Sequence, residues 1–147
     1  MTYDSHYPTS KGQQDEAQAN EHKSDALVSV VIPLFNHEKY ITETLDSIFA
    51  QDHSNIEIIL VDDVSTDNSL KLAKDKLASC GVAHIVLENT YNVGVCKTIN
   101  RGIRAAHGKY TCLIASDDML AMGRIKRHVK ILEECIDPDI VACHGPL

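Results

Sequence analysis

Two pairs of adjacent aspartates, Asp62-Asp63 and Asp117-Asp118, are the residues of this chain best suited to chemistry. Each pair follows an apolar run, residues 56–61 (IEIILV) before the first and residues 109–115 (KYTCLIA) before the second. Neighbouring carboxylates repel each other unless a cation or hydrogen-bond donors offset the charge. At Asp117 and Asp118 a hard divalent cation could do so, Mg2+ being held by one or two protein carboxylates with waters and phosphate oxygens completing the shell. Mn2+ suits the same oxygen ligands. A lone Asp-Asp is also an ordinary way to begin a turn. Two such pairs at the ends of two strands argue for a site.

Strands covered on both faces must deliver these carboxylates to one edge, and the chain carries the pattern for that. Residues 27–34 (LVSVVIPL) read as a first buried strand, with Pro33 near its end, where a ladder donor is dispensable. Asn36 is placed to cap a helix over residues 37–50, whose apolar face is Ile41, Leu45, Ile48 and Phe49. The strand at 56–61 follows. Ser65 or Thr66 is placed to cap a helix over 66–79, with Asp67 in its first turn and Leu70, Ala73 and Leu77 buried. A third strand spans 82–87. A polar loop, ENTYNVG, leads into a helix over 95–107, with Ile99, Ile103 and Ala106 on its apolar face. After the strand at 109–115 comes a helix over 121–135 burying Met122, Ile125, Val129 and Leu132, and residues 139–143 read as a fifth strand. Alternating strands and helices predict an α/β fold, a parallel-rich sheet with helices on both faces and right-handed crossovers. In such sheets ligands bind beyond the carboxyl ends of the strands, where both aspartate pairs lie.

Residues 1–26 read as a disordered polar tail. Up to Asp25 they contain no Val, Ile, Leu or Phe, too little apolar surface to offset the entropy of ordering. Residues 27–147 form the folded part. A net charge of −7 and a pI near 5.5 argue against a general nucleic-acid binder. No apolar run approaches the ~20 residues of a membrane span. The N-terminus lacks the layout of a signal peptide, so a cytoplasmic protein is expected. The five cysteines are odd in number and widely spaced, which favours free thiols over a disulfide framework or zinc site. The eight histidines are scattered and show no metal-ligand spacing.

The stretch VSVVIPLFNHEKYITETLDSIFAQDHSNIEIILVDDVSTDNS, followed in order by ENTYNVGVCKTINRGIRAAHGKYTCLIASDD, resembles the nucleotide-sugar-dependent glycosyltransferases of family 2. The resemblance runs over residues 27–147 and implies a Rossmann-like GT-A fold, C-terminally incomplete, carrying the donor-binding part. It implies transfer of a sugar from a nucleotide-diphosphate sugar, a UDP-sugar being favoured, to an acceptor saccharide or other hydroxyl compound, with inversion and with Mg2+ or Mn2+. Pro33 and Phe35 match the strand end that packs on the nucleotide base, Phe35 standing where Tyr is usual. Asp63 matches the carboxylate that accepts a hydrogen bond from the base, and Asp62 its structural or ribose-facing neighbour. Asn92 and Gly94 match the loop that passes close to the nucleotide, and Lys97 a basic position near the phosphates. Asp118 matches the metal ligand, with Asp117 beside it nearer the ribose or donor sugar.

Three departures stand out. Val64 replaces a usual Gly, and a β-branched residue is strained if that position needs positive φ. Ala115 replaces a carboxylate found in many members. The family's general base lies in a later region with no matching position here. A second reading is therefore a catalytically incomplete nucleotide-binding remnant or an interaction protein. Self-association through the uncovered sheet edge is expected in either case. A receiver-like or dinucleotide-binding domain is a third reading. Against it, the first acidic pair follows the second strand rather than the first, and no Gly-x-Gly-x-x-Gly follows the first strand.

Overall fold

A computed structural model describes residues 26–135. The tail expected up to residue 25 and the fifth strand expected at 139–143 lie outside the described residues. The elements run β1 (Val28–Leu34), α1 (Ile41–Phe49), β2 (Ile56–Asp62), α2 (Ser69–Ala78), β3 (Ala83–Glu88), α3 (Val95–Arg104), β4 (Tyr110–Leu113) and α4 (Arg124–Glu134). All strand pairs are parallel, in the order β3-β2-β1-β4.

The alternation of side chains along β1 and β2 divides the core in two. Val28, Val30, Ile32 and Leu34, with Ile58 and Leu60, meet Ile41, Leu45 and Ile48 of α1, Ala73 and Leu77 of α2, and Ile125 and Val129 of α4. On the opposite face, Val31, Ile59 and Val61 lie against Leu87, Ala105 and Ala106. The chain thus steps outward from β1 to β3 over one face, then returns over the other through α3 to place β4 on the far side of β1. That reversal makes the gap between β1 and β4 the topological switch point. Pro33 helps to open it. Pairing of β1 with β4 ends at Val31–Leu113, and the Val31 carbonyl accepts the Ile114 N–H at 3.2 Å. Two residues on, Pro33 faces the same side with no N–H to give, so the strands separate there.

Helix α3 lies close to the sheet because its inner face is small. Thr98 and Gly102 are fully buried, whereas Ile103, expected on the apolar face, is 41% exposed. The i, i+4, i+7 set Thr98, Gly102 and Ala105 brings the helix nearer the strands than the Ile99–Ile103 face could. A methyl group on Gly102 would overlap Val31 Cγ1 and stand 3.3 Å from Val61 Cγ2. Other boundaries shift too. Helix α4 begins at Arg124 after Gly123 (φ +72°), which leaves Met122 in the preceding turn, 67% exposed rather than buried.

At the amino end of the sheet, the one carboxylate within the apolar run of β2 is buried and fully used. Glu57 Oε1 accepts Ser29 Oγ at 2.5 Å and the His107 N–H at 2.7 Å, and Oε2 lies 3.2 Å from His107 Nδ1. Ser29 Oγ in turn accepts the Gly108 N–H at 2.8 Å. Burial alone would raise the Glu57 carboxyl, but the bonds from Ser29 and His107 outweigh it and hold it below its ordinary value. This cluster anchors the turn from α3 into β4.

Substituting Gly102→Ala should destabilise the chain. The overlap with a buried valine of the central strand costs roughly 1–3 kcal/mol, against about 1 kcal/mol of helix propensity gained. Urea unfolding should show a lower midpoint; an unchanged or higher one would mean that α3 can lift off the sheet freely.

Candidate functional site

The carboxyl ends of β1, β2 and β4 converge on three connecting loops stitched to one another by side chains. Asn36, expected to cap α1, instead has φ +54°, and its Oδ1 accepts the Thr66 N–H at 2.7 Å. Its own N–H reaches Ser65 Oγ at 3.1 Å. Glu38 Oε2 accepts the Asn68 N–H at 2.9 Å, and the Glu38 N–H reaches Asp67 Oδ2 at 3.1 Å. These cross-loop bonds displace the expected helix starts. Helix α1 begins at Ile41, and α2 begins at Ser69, whose N–H bonds Asp67 Oδ1 at 2.9 Å from outside the helix.

The two carboxylates that end β2 have different fates. Asp63 was expected to face a base, but its oxygens are committed to the chain: Oδ1 accepts Asn89 Nδ2 at 2.8 Å and the Val93 N–H at 2.9 Å, and Oδ2 accepts the Gly94 N–H at 2.8 Å. Gly94 (φ +84°) is the N-cap of α3 and supplies no side-chain cap, so Asp63 places a negative charge at that helix end from the neighbouring strand. Burial by itself would raise the Asp63 carboxyl. Hydrogen bonds from Val93, Asn89, Gly94 and Thr98 outweigh that and hold it below its ordinary value. Asp62, equally buried, accepts the Ser65 N–H on Oδ2 at 3.1 Å, while its Oδ1 has no hydrogen-bond partner.

Around this pair lie the other residues singled out from the sequence. Pro33 is half-buried, and Phe35 at the end of β1 is 44% exposed. Asn92 is exposed and donates from Nδ2 to the Asp63 carbonyl at 3.2 Å. Lys97 is exposed on the first turn of α3. Val64 has φ +66°, the conformation that a Gly would take without strain.

Asp117 and Asp118 are both exposed beyond β4, across the switch point from Phe35. No cluster of three or more His, Cys, Asp or Glu suited to a metal exists among the described residues. Two accessible carboxylates still fit Mg2+ or Mn2+, since such ions commonly take one or two protein oxygens and complete their shell from phosphate and water. Three nearby residues were not identified from the sequence. Ser116 is 1% exposed; its Oγ lies 2.8 Å from His37 Nδ1, and its carbonyl accepts Thr44 Oγ1 at 3.0 Å. His37 Nδ1 is also 3.7 Å from Asp117 Oδ1. Asn89, which holds Asp63, sits in the polar loop already noted.

A model of glycosyl transferase family 2 matches residues 29–145. The glycosyltransferase GlyG of Streptococcus pneumoniae is 36% identical over 115 residues, covering 78% of this chain and 38% of that protein. The glycosyltransferase EpsJ of Bacillus subtilis is 36% identical over 117 residues, 80% of this chain and 33% of its own length. Among solved structures, the mannosyltransferase PcManGT of Pyrobaculum calidifontis, in complex with GDP-Man and Mn2+, superposes with a TM-score of 0.69 at 27% identity. That match covers 77% of this chain and 33% of PcManGT. Residues 1–349 of Staphylococcus aureus TarS in complex with UDP-GlcNAc give 0.68 at 32% identity, over 74% of this chain and 31% of that one. The chain spans about a third of the length of these relatives.

Two substitutions in the turn after β2 should move stability in opposite directions. Asp63→Ala leaves the Val93 and Gly94 N–H groups and the Asn89 amide without an acceptor, at roughly 1–3 kcal/mol each where they stay buried. A loss of about 3 kcal/mol or more is expected in denaturant unfolding near neutral pH. Because its carboxyl is lowered in the folded state, Asp63 stabilises fully above the unfolded carboxylate value. That contribution fades as pH falls through the folded value, so the variant's deficit should shrink in acid. A deficit that stayed constant with pH would contradict this. Val64→Gly should raise the melting temperature by a few degrees: roughly 1–2 kcal/mol of left-handed strain is relieved against about 0.5–1 kcal/mol of extra chain entropy. A lower melting temperature would show that the turn is not strained at Val64.

Proposed function

The chain belongs to glycosyl transferase family 2, and from that membership we propose that its carboxyl-edge site binds a nucleotide-diphosphate sugar with a divalent cation, for transfer of the sugar to an acceptor hydroxyl. The observation that carries this reading is the division of labour between the aspartate pairs. One is buried and organises the loops; the other is exposed at the switch point, where a ligand can reach it.

In this reading the base-facing role passes from Asp63 to Asp62. A buried carboxylate oxygen without a donor is costly, and the imide N–H of a uracil is a donor of the right kind. Phe35 offers its exposed ring for stacking on the base, with Pro33 behind it. Asn92 and Gly94 hold the loop beside the nucleotide, and Lys97 approaches the phosphates from the start of α3. Asp118 ligates the cation and Asp117 shares that task while facing the ribose or sugar. A divalent cation held there offsets the charge that builds on the departing nucleoside diphosphate. The nucleotide-sugar and cation parts of this reading find support in the relatives with bound GDP-Man, Mn2+ and UDP-GlcNAc. Inversion at the anomeric carbon and a preference for UDP belong to the proposal and rest on the family resemblance alone. A competing reading, binding without transfer, draws on the strained Val64 in the turn beside the base.

Calorimetric titration of the chain with UDP should show affinity that rises when Mn2+ is present. Asp118→Ala should abolish that metal dependence, whereas Lys130→Ala, which removes an exposed side chain on α4 paired with Glu134, should leave it intact. GDP in place of UDP should bind more weakly. Absence of metal-dependent binding for either nucleotide would overturn the proposal. Binding with neither sugar transfer nor donor hydrolysis would favour the competing reading.

A further inference from the structure

The histidine beside the exposed aspartates is held more firmly than an incidental surface residue would be. His37 lies in the loop from β1 to α1, and its backbone is fixed in both directions. Its N–H donates to Ser69 Oγ at 2.7 Å, and its carbonyl accepts the N–H groups of Tyr40 and Ile41 at 3.0 Å as α1 begins. Ser69 is fully buried, so that anchor cannot drift. The Tyr40 ring meets the imidazole edge-on, with centroids 6.1 Å apart. On the other side, Nδ1 lies 2.8 Å from Ser116 Oγ, and Ser116 is itself tied to α1 through Thr44, which is 1% exposed. The imidazole therefore links the start of α1 to the turn that presents Asp117 and Asp118. Its Nδ1 also stands 3.7 Å from Asp117 Oδ1.

We propose that His37 is a positioning residue for the cation site, acting through Ser116 and directly on the Asp117 carboxylate. This rests on the reading that Asp117 and Asp118 hold the cation. Two adjacent carboxylates left alone repel and turn apart. With hydrogen on Nδ1, the ring donates to Ser116 Oγ and presents the same N–H edge to Asp117; with Nδ1 bare, Ser116 donates to the ring instead. The first arrangement, with a donor toward Asp117, favours one position of its oxygens before a cation arrives; the second would turn a lone pair toward them. Groups that orient metal-ligating carboxylates in this way typically govern metal affinity by roughly 10–100-fold. His37 needs no direct bond to the ion to have that effect.

The test uses the whole chain, with Mn2+ affinity measured by electron paramagnetic resonance in the presence of UDP. UDP affinity without metal and thermal melting are measured in parallel. His37→Ala and Ser116→Ala should each weaken Mn2+ binding roughly tenfold, with metal-free UDP affinity unchanged. His37→Asn, whose amide nitrogen can occupy the place of Nδ1, should return Mn2+ affinity to within about threefold of the parent chain, as expected when the donor is retained. If His37→Ala fails to fold, Ser116→Ala and His37→Asn carry the comparison. The inference is overturned by parental Mn2+ affinity in Ser116→Ala or His37→Ala. It is equally overturned by a His37→Asn chain as weak as Ser116→Ala, or by metal-free UDP affinity falling in step with Mn2+ affinity. A parent chain that binds UDP with no Mn2+ dependence overturns instead the cation reading of Asp117 and Asp118, and this inference with it.

Discussion

The charge on Asp63 is the interaction on which the site depends. Once β3 is laid down, the chain must cross to the opposite face of the sheet and travel back past β2 and β1 before β4 can form. Helix α3 makes that journey and starts with unsatisfied N–H groups, as every helix does. Its N-cap is Gly94, chosen by backbone conformation and unable to offer a side-chain oxygen. Asp63 supplies the missing acceptor from the end of β2, taking the N–H groups of Val93 and Gly94 together with the Asn89 amide. A buried carboxylate survives because several donors meet it, and for the same reason it is held in the charged form. The loop carrying Asn92, the entry angle of α3 and hence the place of β4 follow from it.

Much of this architecture is legible in the residues themselves. The four strands and four helices stand close to where continuous apolar runs and i, i+4 spacing place them, since burial on both faces leaves a strong mark on composition. The positive φ at Val64 is flagged by the family resemblance rather than by the residues alone: a turn that usually takes Gly there imposes its backbone on the valine. Helix starts were less legible. Asn36 and Asp67 are residue types that cap helices locally, yet Asn36 gives its oxygen to Thr66 in another loop, and Asp67 divides its own between Ser69 at the start of α2 and the Glu38 N–H across the gap. Local sequence cannot show which acceptor wins when partners lie some thirty positions apart.

The same limit explains why the different hydrogen bonding of Asp62 and Asp63 is not legible in the sequence. Adjacent identical residues at a strand end point to opposite sides, and nothing in the letters says which side holds the waiting N–H groups. The contact between His37 and Ser116 leaves no mark in the sequence, because one histidine and one serine far apart in the chain carry no spacing signal. Glu57 did leave a trace: a single carboxylate in an otherwise apolar buried run must have partners, and here they are Ser29 and His107.

Glu57 and Asp63 together say how the sheet's second face is built. Helix α3 has a small inner surface, with Gly102 in contact with the strands, so apolar burial on that side is thinner than under α1, α2 and α4. It is held instead at both ends by buried carboxylates on β2, Asp63 at its start and Glu57 at the turn beyond its end. Such bonds are directional in a way that apolar packing is not, and they fix the helix along its axis as well as against the sheet. A helix pinned at both termini keeps its first turn, with Gly94 and Lys97, at a constant distance from the end of β4. Asp63 and Glu57 thus link the end of β2 to the start of β4 by a route other than the central strand.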